Sequence, residues 1–357
     1  MTLMLHDRHS ETGATFGEVN GSECVASFGD ASTEFTCLAE SAALLDLGFR
    51  SRLCVTGADR VEFLHGQVTN NVKSLAEGEG CYAALVDHKG KIQSDLNIYR
   101  LKDELLLDFE PGLTERVTER LEKFIIAEDV DVIDVAPHYG LLSVQGPKSG
   151  EAIECSGLVS EIPHGDRRFV SLKGADFGEA YLANRPRMAG GGFDVFVPNE
   201  KIEAVWEALN RGVEAVGGFP VGWAALEAAR IEAGIPRYGV DMTETNLAPE
   251  TGIGDEAISY NKGCYIGQEV IARIRTYGRV SKSLRRLRFV DDPSGLPIKD
   301  GLLYDGDRKV GNITSVVQLP TTQEHVAIGY VRRESNEPGA ALTLRTDGGE
   351  CGVKVMG

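Results

Sequence analysis

The 357-residue chain is short of positive charge: 37 Lys and Arg stand against 54 Asp and Glu, a formal net charge of −17. General nucleic-acid binding needs a basic face to neutralise phosphates, so that class is excluded, while a local basic groove in an acidic body is not. No CxxC occurs. The seven cysteines, Cys24, Cys37, Cys54, Cys81, Cys155, Cys264 and Cys351, are odd in number and widely spaced. That argues against a disulfide framework or a zinc ribbon and for a reducing compartment. No apolar run approaches the length of a membrane span. The opening "MTLMLHDRHSETG" has neither a long apolar core nor a basic leader, so the expectation is a cytoplasmic protein with no membrane association. Walker A and dinucleotide-binding glycine fingerprints are also missing. His6 and His9 lack a supporting carboxylate or thiol at ligand spacing, and no metal site is expected.

What is present reads as a soluble chain of two or three domains, 42% hydrophobic and 25% charged, too long for one core. Residues 1–37 are polar, with few periodic apolar positions. "EFTCLAESAALLDLG" reads as a helix stopped by Gly48, "SRLCVTG" as a strand, and "GADRVEFLHGQVTNNV" as a helix ending in an Asn-Asn turn. Residues 80–109 read as three strands, with turns at His88-Lys89-Gly90 and Lys102-Asp103-Glu104. "GLTERVTERLEKFIIAEDV" reads as an amphipathic helix with Leu113, Val117, Leu121 and Phe124 on one stripe. Two more strands complete a β-α-β-β-β-α-β-β unit over 51–146. A second mixed round of strands and helices follows. The order lacks strict βαβ alternation, which favours an α+β fold. From Ser283 onward, short strands separated by Gly, Pro and Asp turns read as a small all-β, barrel-like domain.

One stretch stands out, "NKGCYIGQEVIARIRTYGRV". Gly263 and Gly267 bracket Cys264, which would sit just before a helix beginning near Gln268. Backbone N–H groups there and the charge of Lys262 favour a thiolate; the alternative is a small apolar residue filling a turn. From Lys262 to Arg288 eight basic residues face one acid, Glu269. Such a run either docks an anionic ligand or is a solvated linker and strand edge. Asp95 shares a strand face with Gln93, Asn97 and Tyr99, which is either solvated or buried and paired. Arg230 reads as a charge near a helix C-terminus capped by Gly234.

The segment "KGCYIGQE", comprising Lys262, Gly263, Cys264, Tyr265, Gly267, Gln268 and Glu269 with Ile266, resembles the signature of the YgfZ branch of the folate-binding family that also contains the glycine-cleavage T-protein, an aminomethyltransferase. "GATFG", "ESAALLDL", "VTGADRVEFLHGQVTNNV", "VQGP", "RIEAGIPRYGVD" and "APETGI" resemble further blocks of this family, in the expected order. The resemblance implies an α+β fold of two ferredoxin-like subdomains plus a C-terminal β-barrel around a central folate cavity. Its domains would be a folate-binding region over 1–282, with 51–136 inserted as one subdomain, and a barrel over 283–357. Asp95 then matches the strand acid that contacts the reacting folate nitrogen, and Tyr82, Tyr99 and Arg230 become further folate-contacting positions. Cys264, Lys262 and Asp95 become the catalytic candidates. The basic run gains a ligand, the glutamate tail of folate. Where T-proteins usually carry Tyr-Thr-Gly-Glu, this chain has "RMAG", Arg187 to Gly190, which suits the YgfZ branch. The expected role is thus a tetrahydrofolate-binding protein that assists assembly or repair of iron–sulfur client proteins. A folate-dependent aminomethyl or one-carbon transferase and a non-catalytic scaffold are the alternatives.

Overall fold

Runs that are apolar at every position and runs that alternate build different strands in this protein, and the contrast locates the cavity. The structure, a computed structural model, describes residues 2–173, 177–293 and 295–357. Ala43–Asp46 is buried at all four positions. It lies inside a six-stranded sheet ordered Phe169–Ser171, Tyr181–Asn184, Gly192–Pro198, Tyr139–Gln145, Ala43–Asp46 and Phe219–Pro220. Only the last pair is parallel. The helices Ser149–Ser156 and Ile202–Ala215 cover one face, packing Ile153, Val205, Trp206 and Leu209 on Leu44, Leu142, Val144 and Val195.

This corrects the helix expected over Glu34–Gly48. The helix is Ala31–Glu40, capped by Asp30, whose side chain accepts from the Thr33 N–H. Leu44 and Leu45 belong to the strand, because a run buried on both faces suits a sheet interior and shows no helical stripe. The N-terminal 37 residues are also more ordered than their polarity implies. They form the helix His6–Glu11 and a hairpin, Thr15–Val19 with Ser22–Ser27, turned by Asn20-Gly21, both with positive φ.

The second sheet is antiparallel, ordered Gly80–Val86, Ile92–Arg100, Leu105–Phe109, Ser51–Thr56 and Asp131–Asp134. One face carries Leu53, Val55, Ala83, Leu85, Leu96, Ile98 and Leu107, packed beneath the helices Arg60–Gln67 and Thr114–Glu122 through Phe63, Leu64, Val117 and Leu121. Each fully buried Leu, Ile or Val among these contributes about 1.5–3 kcal/mol. The alternation leaves Tyr82, Asp95, Asn97 and Asp108 together on the opposite face.

Residues 282–355 close a six-stranded barrel in the order Lys282–Phe289, His325–Arg332, Arg308–Gln318, Leu302–Asp305, Ala341–Thr346 and Gly349–Val355. Its interior holds Leu287, Leu303, Ile313, Val331, Leu344 and Val353. Among the described residues no helix is long and apolar enough to cross a membrane. The seven cysteines are free; Cys24, Cys37, Cys54 and Cys351 are buried, whereas Cys155 and Cys264 are exposed.

Candidate active site

The polar face of the five-stranded sheet forms one wall of a cavity of about 440 Å³, flanked by the segment Arg185–Met188, the helix Trp223–Ala233 and residues 252–256. That volume lies in the range of small-molecule sites.

Asp95 and Tyr82 stand diagonally across two paired strands, since Tyr82 faces Asn97 and Ala84 faces Asp95. The Tyr82 hydroxyl donates to Asp95 Oδ2 at 2.7 Å. Asp95 Oδ1 is enclosed and has no hydrogen-bond partner. Burial, aided by the nearby Glu110 carboxylate, raises the Asp95 pKa, with the Tyr82 bond acting against that shift. The Arg167 guanidinium lies over the Tyr82 ring, 5.0 Å from its centroid, and donates to Asn97 Oδ1. Asn97 in turn donates to Asp108.

Around this pair runs a chain of alternating charge. Arg50 binds Asp108 through Nε and Nη2 and Glu110 through Nη1. Glu110 accepts from Arg237 at 2.9 and 3.0 Å, and Arg237 donates on to Glu227. Glu227 and Asp241 hold Arg230, and Asp241 also accepts from Thr314 and Ser315 of the barrel. At the other end Arg187 donates to both Asp108 and Asp194. Burial alone would raise the Glu110 pKa, but Arg50 and Arg237 hold it below the usual carboxylate range. Asp108 is likewise held down by Arg50 and Arg187 against its burial. The network satisfies buried charges that would otherwise be costly and ties the two sheets, the helix Trp223–Ala233 and the barrel to one another.

The cysteine motif lies elsewhere. Lys262 turns its ammonium inward, donating to the backbone carbonyls of His65, Val68 and Asn70 at the end of the helix Arg60–Gln67. Burial lowers its pKa to about 8. The expectation that Lys262 charges the Cys264 thiol gives way to this arrangement, since the ammonium caps a helix terminus instead. Tyr265 is buried with the Lys262 ammonium 4.8 Å from its ring centre. The helix is Gln268–Tyr277 with Gly267 as its cap, so Cys264 stands in the loop just before it. Glu269 pairs with Arg273 on the surface and Gln268 opens the helix. Cys264 is exposed and does not line the cavity.

Of the expected cofactor contacts, Tyr82, Asp95 and Arg230 line the cavity and Tyr99 does not. The Tyr99 ring packs edge-on against Phe169 and Phe196 in the core between the sheets. The basic run does not converge on the cavity either. Arg275 lies over Tyr260, Lys282 over Tyr330, and Arg288 pairs with Glu324. The cavity's guanidinium groups are instead Arg50, Arg185, Arg187, Arg230 and Arg237. Among the described residues no group of three or more His, Cys, Asp or Glu could hold a metal ion. His6 and His9 pair with Glu23 and Asp46.

Residues 5–262 match the family described as "GCVT N-terminal domain", and residues 282–357 match "Glycine cleavage T-protein C-terminal barrel domain". This chain belongs to the glycine cleavage T-protein family. Among its relatives is At1g60990, a chloroplastic protein of Arabidopsis thaliana whose name gives it provisionally as a transferase, 28% identical over 96% of this chain and 77% of that protein. The aminomethyltransferase of Corynebacterium jeikeium is 26% identical over 94% of this chain and 90% of its own length. The aminomethyltransferase of Halothermothrix orenii is 28% identical over 95% and 94%. The solved glycine cleavage system aminomethyltransferase T of Bartonella henselae superposes with a TM-score of 0.89 at 22% identity, covering 100% of this chain and 97% of that one. That likeness establishes the α+β fold with its C-terminal barrel.

Within this T-protein family member, sequence reading overlooked much of the cavity wall. Nothing in the local sequence marks Arg50, Glu110 or Trp223, and Arg237 stands within "RIEAGIPRYGVD" with no role of its own legible. One signal was available: Asp108 interrupts the otherwise apolar run Leu105–Phe109, and a charge in a fully buried strand demands a partner.

Proposed function

We propose that this T-protein family member is a folate-dependent aminomethyl or one-carbon transferase acting through the central cavity. The observation that carries this reading is Asp95 Oδ1, an enclosed carboxylate oxygen with no partner in the protein. A buried acceptor left unsatisfied costs about 1–3 kcal/mol, which a ligand bringing an N–H or O–H donor offsets. Tetrahydrofolate, the cofactor of the aminomethyltransferase kind, supplies the nitrogens that carry a one-carbon unit. Tyr82 holds Oδ2 and so fixes the carboxylate plane, leaving Oδ1 for the ligand. The raised Asp95 pKa brings it nearer to working pH, where it takes and returns a proton more readily at that oxygen. Trp223 and Met188 contribute apolar wall beside the charged groups.

The test is release of ammonia from an aminomethylated lipoyl carrier in the presence of tetrahydrofolate. Asp95→Asn keeps the shape and removes the proton-accepting charge. Its rate is expected to fall about 10²-fold or more; a rate within a few-fold of wild type contradicts the reading. A second reading, maintenance of iron–sulfur client proteins, is favoured by the exposed Cys264 thiol outside the cavity. It predicts that Cys264→Ala folds normally but does not rescue a null strain, and full rescue removes it.

A further inference from the structure

The cavity's guanidinium groups are not equivalent. Arg50, Arg187, Arg230 and Arg237 each bind at least one carboxylate of the chain. Arg167, beside them, binds Asp166 and Glu256. Arg185 lines the same cavity, and among the described residues no carboxylate pairs with it. Its Nη1 donates to the Pro186 carbonyl, and its Nε is buried without a partner.

The position is built, not incidental. Arg185 follows the strand Tyr181–Asn184, and Pro186 biases its backbone to an extended conformation. Its N–H donates to the Gly192 carbonyl at 2.9 Å, and its own carbonyl accepts from Gln145 Nε2 at 3.1 Å. Its charge is disfavoured there by burial and by Arg167 and Arg187 nearby, which outweigh Tyr99 and Asp194, so its pKa is lowered. A partly buried cation beside other cations, with one N–H left unpaired, is stabilised when an anion joins it. The guanidinium fork matches a carboxylate in a planar, two-point contact.

We propose that Arg185 anchors a carboxylate of the molecule that enters the cavity, making it an anion subsite distinct from the Asp95–Tyr82 pair. The proposal rests on the reading of the cavity as the substrate site, but not on the cofactor being folate. The carboxylate belongs either to the glutamate part of a folate or to a separate small organic acid, and the experiment separates these sources.

The experiment is equilibrium titration of the full chain, wild type and Arg185→Gln, with 5-formyltetrahydrofolate, with the matching pteroic acid primary amide, which has no carboxylate, and with acetate. A loss of about tenfold or more for the glutamate-bearing probe, with the amide unaffected, supports the subsite and assigns it to folate's own carboxylate. A comparable loss for acetate, with both folate probes unaffected, supports it and assigns a separate acid. Equal losses for both folate probes without a loss for acetate, or no loss for any probe, overturn it. Acetate binding that depends on Arg185 in a protein that binds no folate would sink the folate reading and leave the subsite standing. Should Arg185→Gln not fold, protection of Arg185 in the wild-type protein by acetate or 5-formyltetrahydrofolate against phenylglyoxal, mapped by mass spectrometry, decides. Absence of protection by both overturns the proposal.

Discussion

Lys262 shows how one residue can be read for the wrong reason. Its place beside Cys264 in the chain makes an electrostatic partner of it, yet its side chain leaves the thiol and satisfies three carbonyls at the end of the helix Arg60–Gln67. All three N–H donors of the ammonium are used, so the charge serves the backbone. Lys262→Met keeps the stem and removes the donors. It is expected to cost about 2 kcal/mol or more, because buried carbonyls are left unpaired. Urea denaturation reads this directly, and a loss below about 0.5 kcal/mol would show that water replaces the ammonium. Asp95 is the converse case. The face it shares with Asn97 is legible, but whether that face meets solvent or a cavity depends on what packs opposite, which one strand cannot disclose.

At the scale of elements, the "KGCYIGQE" segment is a loop clamped at several points. Ile266 donates to the Gly66 carbonyl and Tyr265 is buried. Gly267 has φ +82, and a Cβ there would lie 2.4 Å from the Asp87 carbonyl. Gly263 has only an ordinary contact with His65. Gly267→Ala is therefore expected to destabilise by at least about 1 kcal/mol and to loosen the turn at 87–91, whereas Gly263→Ala stays within about 0.5 kcal/mol. Thermal unfolding with amide exchange at that turn checks both, and equal effects of the two changes would contradict the account. Element types were legible where periodicity was clean, as in the strands Gly80–Val86, Ile92–Arg100 and Leu105–Phe109. They were misjudged at Ala43–Asp46, where burial on both faces removes the alternation that marks a strand. The Asn20-Gly21 hairpin was legible in principle from its turn chemistry, but the polar surroundings obscured it.

Across the whole molecule, the two sheet units and the segments at 223–237 and 252–256 wall the cavity, and a shared ionic network ties them to the barrel. Asp194 comes from the six-stranded sheet, Asp108 from the five-stranded one, and Asp241 reaches Thr314 and Ser315 in the barrel. No single stretch of sequence contains this arrangement. Its charges lie far apart in the chain, and this is why Arg50 and Glu110 escape a reading by motif and why the role of Arg237 does not show within its family block. The same separation explains why the basic run from Lys262 to Arg288 misleads: closeness in sequence places those side chains on different surfaces.

The central claim is that this cavity binds a folate through Asp95. The measurement that tests it most directly is an anaerobic calorimetric titration with tetrahydrofolate of the wild-type protein, Asp95→Ala and Cys264→Ala. The account predicts saturable binding, weakened about tenfold by Asp95→Ala and unchanged by Cys264→Ala. No saturable binding to the wild-type protein, or equal binding by Asp95→Ala, would contradict it.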